Sequence, residues 1–122
     1  MTNSQFLETF NLLREILKSY EKNLTVISDK KDTYNLNAGY SKKYKRDIYF
    51  GGIEIKKNYV SFHLMPVYIN TNLLDGISRD LRKRMQGKSC FNFKQTDKKL
   101  FDELSNLARR GFEFYRKEGL IK

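Results

Sequence analysis

The sequence predicts an α+β fold, a mostly antiparallel sheet of about four to five strands with N- and C-terminal helices packed on one face. Three observations predict it. The chain of 122 residues opens and closes with apolar residues at helical spacing. Between them, runs of aromatic and β-branched residues follow the two-residue period of half-buried strands. The strand candidates are grouped rather than alternating one by one with helices, which argues against a doubly wound parallel sheet. With 39% hydrophobic and 14% aromatic residues, residues 1–122 have the material for one core and are expected to form a single domain.

Thr2 or Ser4 is placed to cap a first helix whose stripe is Phe6, Phe10, Leu13, Leu17 and Tyr20, at helical spacings of four and three. Leu7 and Ile16 widen that stripe, while Glu8, Arg14, Glu15, Lys18, Glu21 and Lys22 form a solvated back. A β-prone run, Leu24 to Ile27, precedes a polar break from Ser28 to Asp32, and a strand follows near Tyr34 to Leu36. Ile48–Lys56 and Tyr59–Tyr68 are the strongest strand candidates and, joined only by Lys57-Asn58, are expected to pair as a hairpin. Val60, Phe62, Leu64 and Tyr68 then share the core face, with Tyr59, Ser61, His63, Met65 and Val67 opposite. Gly51-Gly52 leaves room for a bulge or for close approach of a backbone or ligand. Pro66, which cannot donate to a ladder, places its end of the strand at an edge or a bulge. Thr71–Ile77 reads as a helical turn, and Ser78 as the cap of a short helix running through Arg79, Leu81 and Met85 to Gly87. Lys88–Lys94 returns to strand, with Phe91 and Phe93 inward and Cys90 and Asn92 opposite. Thr96 or Asp97 caps the last helix, whose stripe Leu100, Leu104, Leu107, Gly111 and Tyr115 closes near Gly119.

Lys and Arg number 24 against 14 Asp and Glu, a formal charge of +10. The excess sits in the middle: residues 41–96 carry twelve basic and four acidic residues, whereas residues 1–40 carry five of each. No apolar run approaches the ~20 residues of a membrane span, and Met1–Glu8 lacks the pattern of a signal peptide. A lone cysteine, Cys90, forms no intrachain disulfide. The expectation is a cytoplasmic protein, with no membrane partner, acting as a monomer or homodimer.

Gly87-Lys88-Ser89 resembles the end of a phosphate-binding loop, but Arg82 stands where that motif needs its first glycine, and a helix here leads into a strand rather than the reverse. His63 is the only histidine, and no HxxE, HxH or CxxC spacing accompanies it. A single strand histidine is most often packed and hydrogen-bonded. Its functional reading rests on the face it shares with Tyr59, Ser61 and Met65, which could equally pack on the N-terminal segment or a second subunit. Cys90 has Lys88 and Lys94 nearby, a setting for a reactive thiolate, though free cysteines are more often inert and buried. A Cys90–His63 pair would need contact and an orienting carboxylate. Two basic clusters complete the candidates: Lys42, Lys43, Lys45 and Arg46, interleaved with Tyr40, Tyr44 and Tyr49, and Arg79, Arg82, Lys83, Arg84 and Lys88. Both could neutralise phosphates, and the first could also stack bases; a solvated loop and an outer helix face are the commoner roles of such clusters.

The segments Tyr49-Phe50-Gly51-Gly52, Lys57-Asn58-Tyr59-Val60-Ser61-Phe62-His63-Leu64-Met65-Pro66-Val67-Tyr68 and Gly87-Lys88-Ser89-Cys90-Phe91-Asn92-Phe93 resemble the YdhG-like family, a bacterial domain of unknown function. The resemblance runs from about Tyr34 to Tyr115 and implies a small α+β fold with an antiparallel sheet and flanking helices. One branch of that family is described as a frataxin-like intracellular iron chaperone, so the resemblance implies iron as a candidate cargo. No iron ligand carries over, because Glu54, Asp75 and Asp80 are scattered through the basic stretch. Three expectations follow. The first is a non-enzymatic domain that binds a small ligand or a protein partner across Tyr59, Ser61 and His63, beside Gly51 and Gly52. The others are an iron chaperone, and a binder of RNA or single-stranded DNA through Lys42, Lys43, Lys45, Arg46, Arg79, Arg82, Lys83 and Lys88. No catalytic residue and no cofactor is assigned.

Overall fold

The computed structural model of the chain describes residues 3–121. Helix α1 (Asn3–Lys18) and a 3-10 turn at Glu21–Asn23 lead into strands β1 (Thr25–Asp29), β2 (Thr33–Ser41), β3 (Arg46–Ile55) and β4 (Val60–Leu64). Two short elements follow, α2 (Pro66–Ile69) and a 3-10 turn at Thr71–Leu74, then α3 (Arg79–Arg82), β5 (Met85–Gln86), β6 (Cys90–Phe93) and α4 (Lys98–Lys117). The strands form one six-stranded sheet in the order β1-β2-β3-β4-β6-β5, with every neighbouring pair antiparallel. The α+β class and the two terminal helices are as the sequence predicts, with a slightly higher strand count. Thr2, one of the two candidate caps for α1, lies outside the described residues, and Ser4 falls within the helix.

Both long helices lie on one face of the sheet. Leu13 and Leu17 of α1 are fully buried there, and the Phe112 and Tyr115 rings of α4 meet Phe50 of β3 edge-on at centroid distances of 6.2 and 5.6 Å. Burying an apolar side chain of this size contributes about 1.5–3 kcal/mol, so this layer supplies the main stabilisation. Asp97 caps α4 by accepting from the Leu100 N–H at 3.2 Å. Its other end closes on Gly119, at φ +78°, with the Leu120 N–H bonded to Tyr115 O and the Gly119 N–H to Arg116 O. Among the described residues, no helix is long and apolar enough to cross a membrane.

Two expectations are corrected. The strand expected to run to Tyr68 stops at Leu64, and Pro66 is neither at a sheet edge nor in a bulge: it opens α2, where a fixed φ and a missing N–H cost nothing. The helical turn reverses the side-chain pattern, burying Val67 and leaving Tyr68 54% exposed. The short helix capped by Ser78 ends at Arg82 and does not include Met85. The Asn92 N–H bonds to Arg84 O at 2.8 Å and draws the chain into the ladder, so Met85 pairs with Phe91 in the sixth strand.

Candidate functional site

Among the described residues, no helix packs on the second face of the sheet, and there the strand registers set polar side chains side by side. Asn35 of β2 is opposite Gly52 of β3, Gly52 opposite His63 of β4, His63 opposite Cys90 of β6, and Cys90 opposite Gln86 of β5. The adjoining row is Thr33, Glu54, Ser61 and Asn92. With Tyr49, Lys56 and Tyr59, most of these residues line a cavity of about 270 Å³.

Gly52 is the key to its shape. The Tyr49 hydroxyl donates to Asn35 Oδ1 at 2.5 Å, and this bond passes so close over Gly52 that a Cβ there would collide with both groups and with the Tyr34 carbonyl. Tyr49 also meets the His63 ring edge-on at 6.0 Å. Gly51, its neighbour in sequence, faces the other way. The register between β2 and β3 shifts after Leu36↔Gly51, so Phe50 and Gly51 both turn to the helices, and a Cβ on Gly51 would meet His63 O and Leu17. Gly51 is therefore a packing residue rather than a lining one.

The centre of this face holds no free charge. Glu54 and Lys56 pair with each other at 3.0 Å on the rim. Burial lowers the pKa of half-buried His63, Glu54 opposes that shift and Lys56 adds to it, leaving a neutral imidazole at pH 7. Burial raises the Cys90 thiol despite hydrogen bonds with Ser61 and Ser89, and burial likewise raises the Tyr49 phenol. Cys90 and His63 are thus cross-strand neighbours, but as thiol and imidazole rather than as the thiolate–imidazolium pair of a cysteine nucleophile. Asn92 Nδ2 donates to Gln86 Oε1 at 2.6 Å, while Asn92 Oδ1 is buried without a partner. What the face offers is hydrogen-bond donors and acceptors around the rings of Tyr49, Tyr59 and His63.

Of the residues singled out in the sequence, Tyr59, Ser61, His63 and Gly52 come together here. Met65 does not, because β4 ends before it, and Val67 enters the core. Asn35 is not among those singled out, and Tyr49 is expected from the sequence only as a ring beside the basic turn, not on this face. Their alternation with Tyr34, Leu36, Ile48 and Phe50 was visible, yet only the strand order brings them over Gly52.

The basic clusters are divided differently. Lys42, Lys43, Tyr44 and Lys45 form the turn between β2 and β3, with Lys45 at φ +57° and its N–H on Ser41 O, and Arg46 begins β3. Beside this turn lies a groove of about 480 Å³ lined by Tyr44, Arg46, Ile48, Tyr49, Met65, Tyr68 and Ile69. Lys88, from the β5–β6 turn, reaches over the Tyr68 ring at 5.9 Å. Arg79, Arg82 and Lys83 do not line the groove; Arg82 is turned to the Leu74 carbonyl at 3.1 Å. Among the described residues, no group of three or more His, Cys, Asp or Glu side chains is arranged to hold a metal ion. No family model, no curated protein and no solved structure matches this chain.

Proposed function

We propose that the chain is a cytoplasmic, non-enzymatic, YdhG-like binding domain that holds a small uncharged ligand against the second sheet face. The observation that carries this reading is the row Asn35, Gly52, His63 and Cys90, with Tyr49, Ser61 and Tyr59 around it. A solvated sheet face ordinarily carries polar side chains, charged ones among them, and this chain has charge in excess. Here the central positions are instead amide, hydroxyl, thiol, phenol and imidazole groups. Such a set recognises a polar ring or amide by matched donors and acceptors, with Tyr49 and His63 supplying aromatic edges. The cavity, at about 270 Å³, lies just below the usual range of ligand pockets and suits a small molecule.

Native mass spectrometry of untagged protein, purified gently in low salt and then washed in high salt, tests this directly. The expected result is a small mass increment that survives the wash and is lost in His63→Ala and Ser61→Val. A folded His63→Ala protein that kept the whole increment would count against the reading. An increment of one further chain mass would make the face a dimer interface instead. Iron delivery, which only the family resemblance suggests, has no observation of its own in its favour; an anaerobic Fe(II) titration with no binding at micromolar concentration would remove it.

A further inference from the structure

We propose that the groove between the β2–β3 turn and α2 is a binding site for single-stranded nucleic acid, with bases stacked on Tyr44 and Tyr68 and phosphates held by Lys43, Arg46 and Lys88. This inference is independent of the sheet-face reading, which concerns a different surface.

Three observations converge. Tyr44 and Tyr68 expose 46% and 54% of their surface, although each borders an apolar floor of Ile48, Met65 and Ile69. Each ring carries its own cation, with Lys43 Nζ 5.4 Å from the Tyr44 centroid and Lys88 Nζ 5.9 Å from that of Tyr68. Arg46 lines the groove, no acidic side chain does, and among the described residues none of Lys43, Arg46 and Lys88 enters an ion pair. Exposed rings alternating with unneutralised cations suit a strand that presents bases and phosphates in turn. An acidic peptide would use the charges and leave both rings without a stacking partner. A duplex keeps its bases stacked inside and would use only the charges.

The test is fluorescence anisotropy with labelled oligo(dT) and oligo(U) at low salt and over a salt series. Tyr44→Ala and Tyr68→Ala, both at exposed positions and checked for folding by circular dichroism, should each weaken binding at least about fivefold and leave the salt slope unchanged. Arg46→Gln and Lys88→Gln should each lower the slope by about 0.7, one single-strand phosphate contact apiece. Arg82→Gln and His63→Ala should bind as the parent does, which also separates this site from the sheet face. Four results would overturn the proposal. One is no binding at low salt. Another is binding that responds to Arg82→Gln as strongly as to Arg46→Gln and ignores both tyrosines, the mark of diffuse attraction alone. The third is displacement of the strand by polyglutamate of matched charge as readily as by unlabelled strand. If dTMP competes as well per nucleotide as oligo(dT), the groove is a mononucleotide site and the strand is not its ligand.

Discussion

Tyr49 lines two surfaces of opposite character. On the sheet face its hydroxyl is bonded to Asn35, and every charge nearby is paired or suppressed: Glu54 with Lys56, and neutral His63 and Cys90. In the groove its neighbours are exposed tyrosines and cations that none of the described residues neutralise. A net charge of +10 therefore says little about any one surface of this chain. Charge collects where turns leave the sheet, at residues 42–46 and 88, while the pleat itself is filled by uncharged polar groups, most of them bonded to one another. The first surface is suited to a ligand that exchanges hydrogen bonds; the second, to one that supplies charge.

The largest expected effect breaks the first surface alone. In Gly52→Ala the new methyl meets Asn35 Oδ1 and the Tyr49 hydroxyl, which could swing away, and the Tyr34 carbonyl, which is held in the ladder and could not. A destabilisation of about 3 kcal/mol is expected, read as a fall in Tm on the order of 10 °C. A protein that kept its Tm would show that β2 and β3 can part at this point without cost.

Next in size is Tyr115→Phe, which acts on what the two surfaces share. The fully buried Tyr115 hydroxyl donates to Tyr49 O at 2.7 Å, fixing the β3 backbone between the two surfaces. Its loss is expected to cost about 1–2 kcal/mol in urea unfolding, because a buried carbonyl loses a donor. If binding at either surface then weakens, both should. Loss at one alone would mean that Tyr49 does not couple them.

How much of this was legible in the sequence depends on how far apart the deciding residues lie. The β3–β4 hairpin, the inward Phe91 and Phe93, the Ser78 and Asp97 caps and the α4 stripe each rest on residues within a few positions of one another, and local period and capping chemistry suffice for them. Val67 and Tyr68 continue a β-prone composition past the end of β4, and the decisive fact is that Pro66 starts a helical turn rather than ending a ladder. The sheet-face row was half visible. His63 and Ser61 followed from alternation within one strand, but Asn35, Tyr49 and Asn92 join them only through pairings between residues far apart in the chain. Gly51 and Gly52 could not be told apart, since the bulge at Phe50 that turns one inward is a property of the β2–β3 register. By sequence proximity Lys88 belongs with Arg79, Arg82 and Lys83, whereas the β5–β6 turn carries it over Tyr68 instead.

Tyr49→Phe is a milder change that separates the two surfaces. It keeps the ring that borders the groove and removes the hydroxyl bonded to Asn35, at an expected cost of about 1 kcal/mol. Oligonucleotide affinity should be unchanged, and the salt-resistant mass increment of the sheet face should fall. The opposite pattern would assign the Tyr49 hydroxyl to the wrong surface.

The smallest effect is a difference in pH response. Burial holds the folded-state pKa of His63 below the ordinary 6.5, with Glu54 opposing the shift and Lys56 adding to it. As pH falls through 6.5 the unfolded chain therefore takes up the proton first. Stability drops through that range until the folded-state pKa is passed, and the effect of His63 fades as pH rises above 6.5. His63→Gln should flatten this part of the stability curve measured by urea unfolding between pH 7 and 5. The groove is lined by no histidine and no carboxylate. Oligonucleotide affinity should stay level over the same range while sheet-face binding weakens. A parallel decline of both would mean that His63 reports on the whole sheet, and that the two surfaces are not separate in the way their charges suggest.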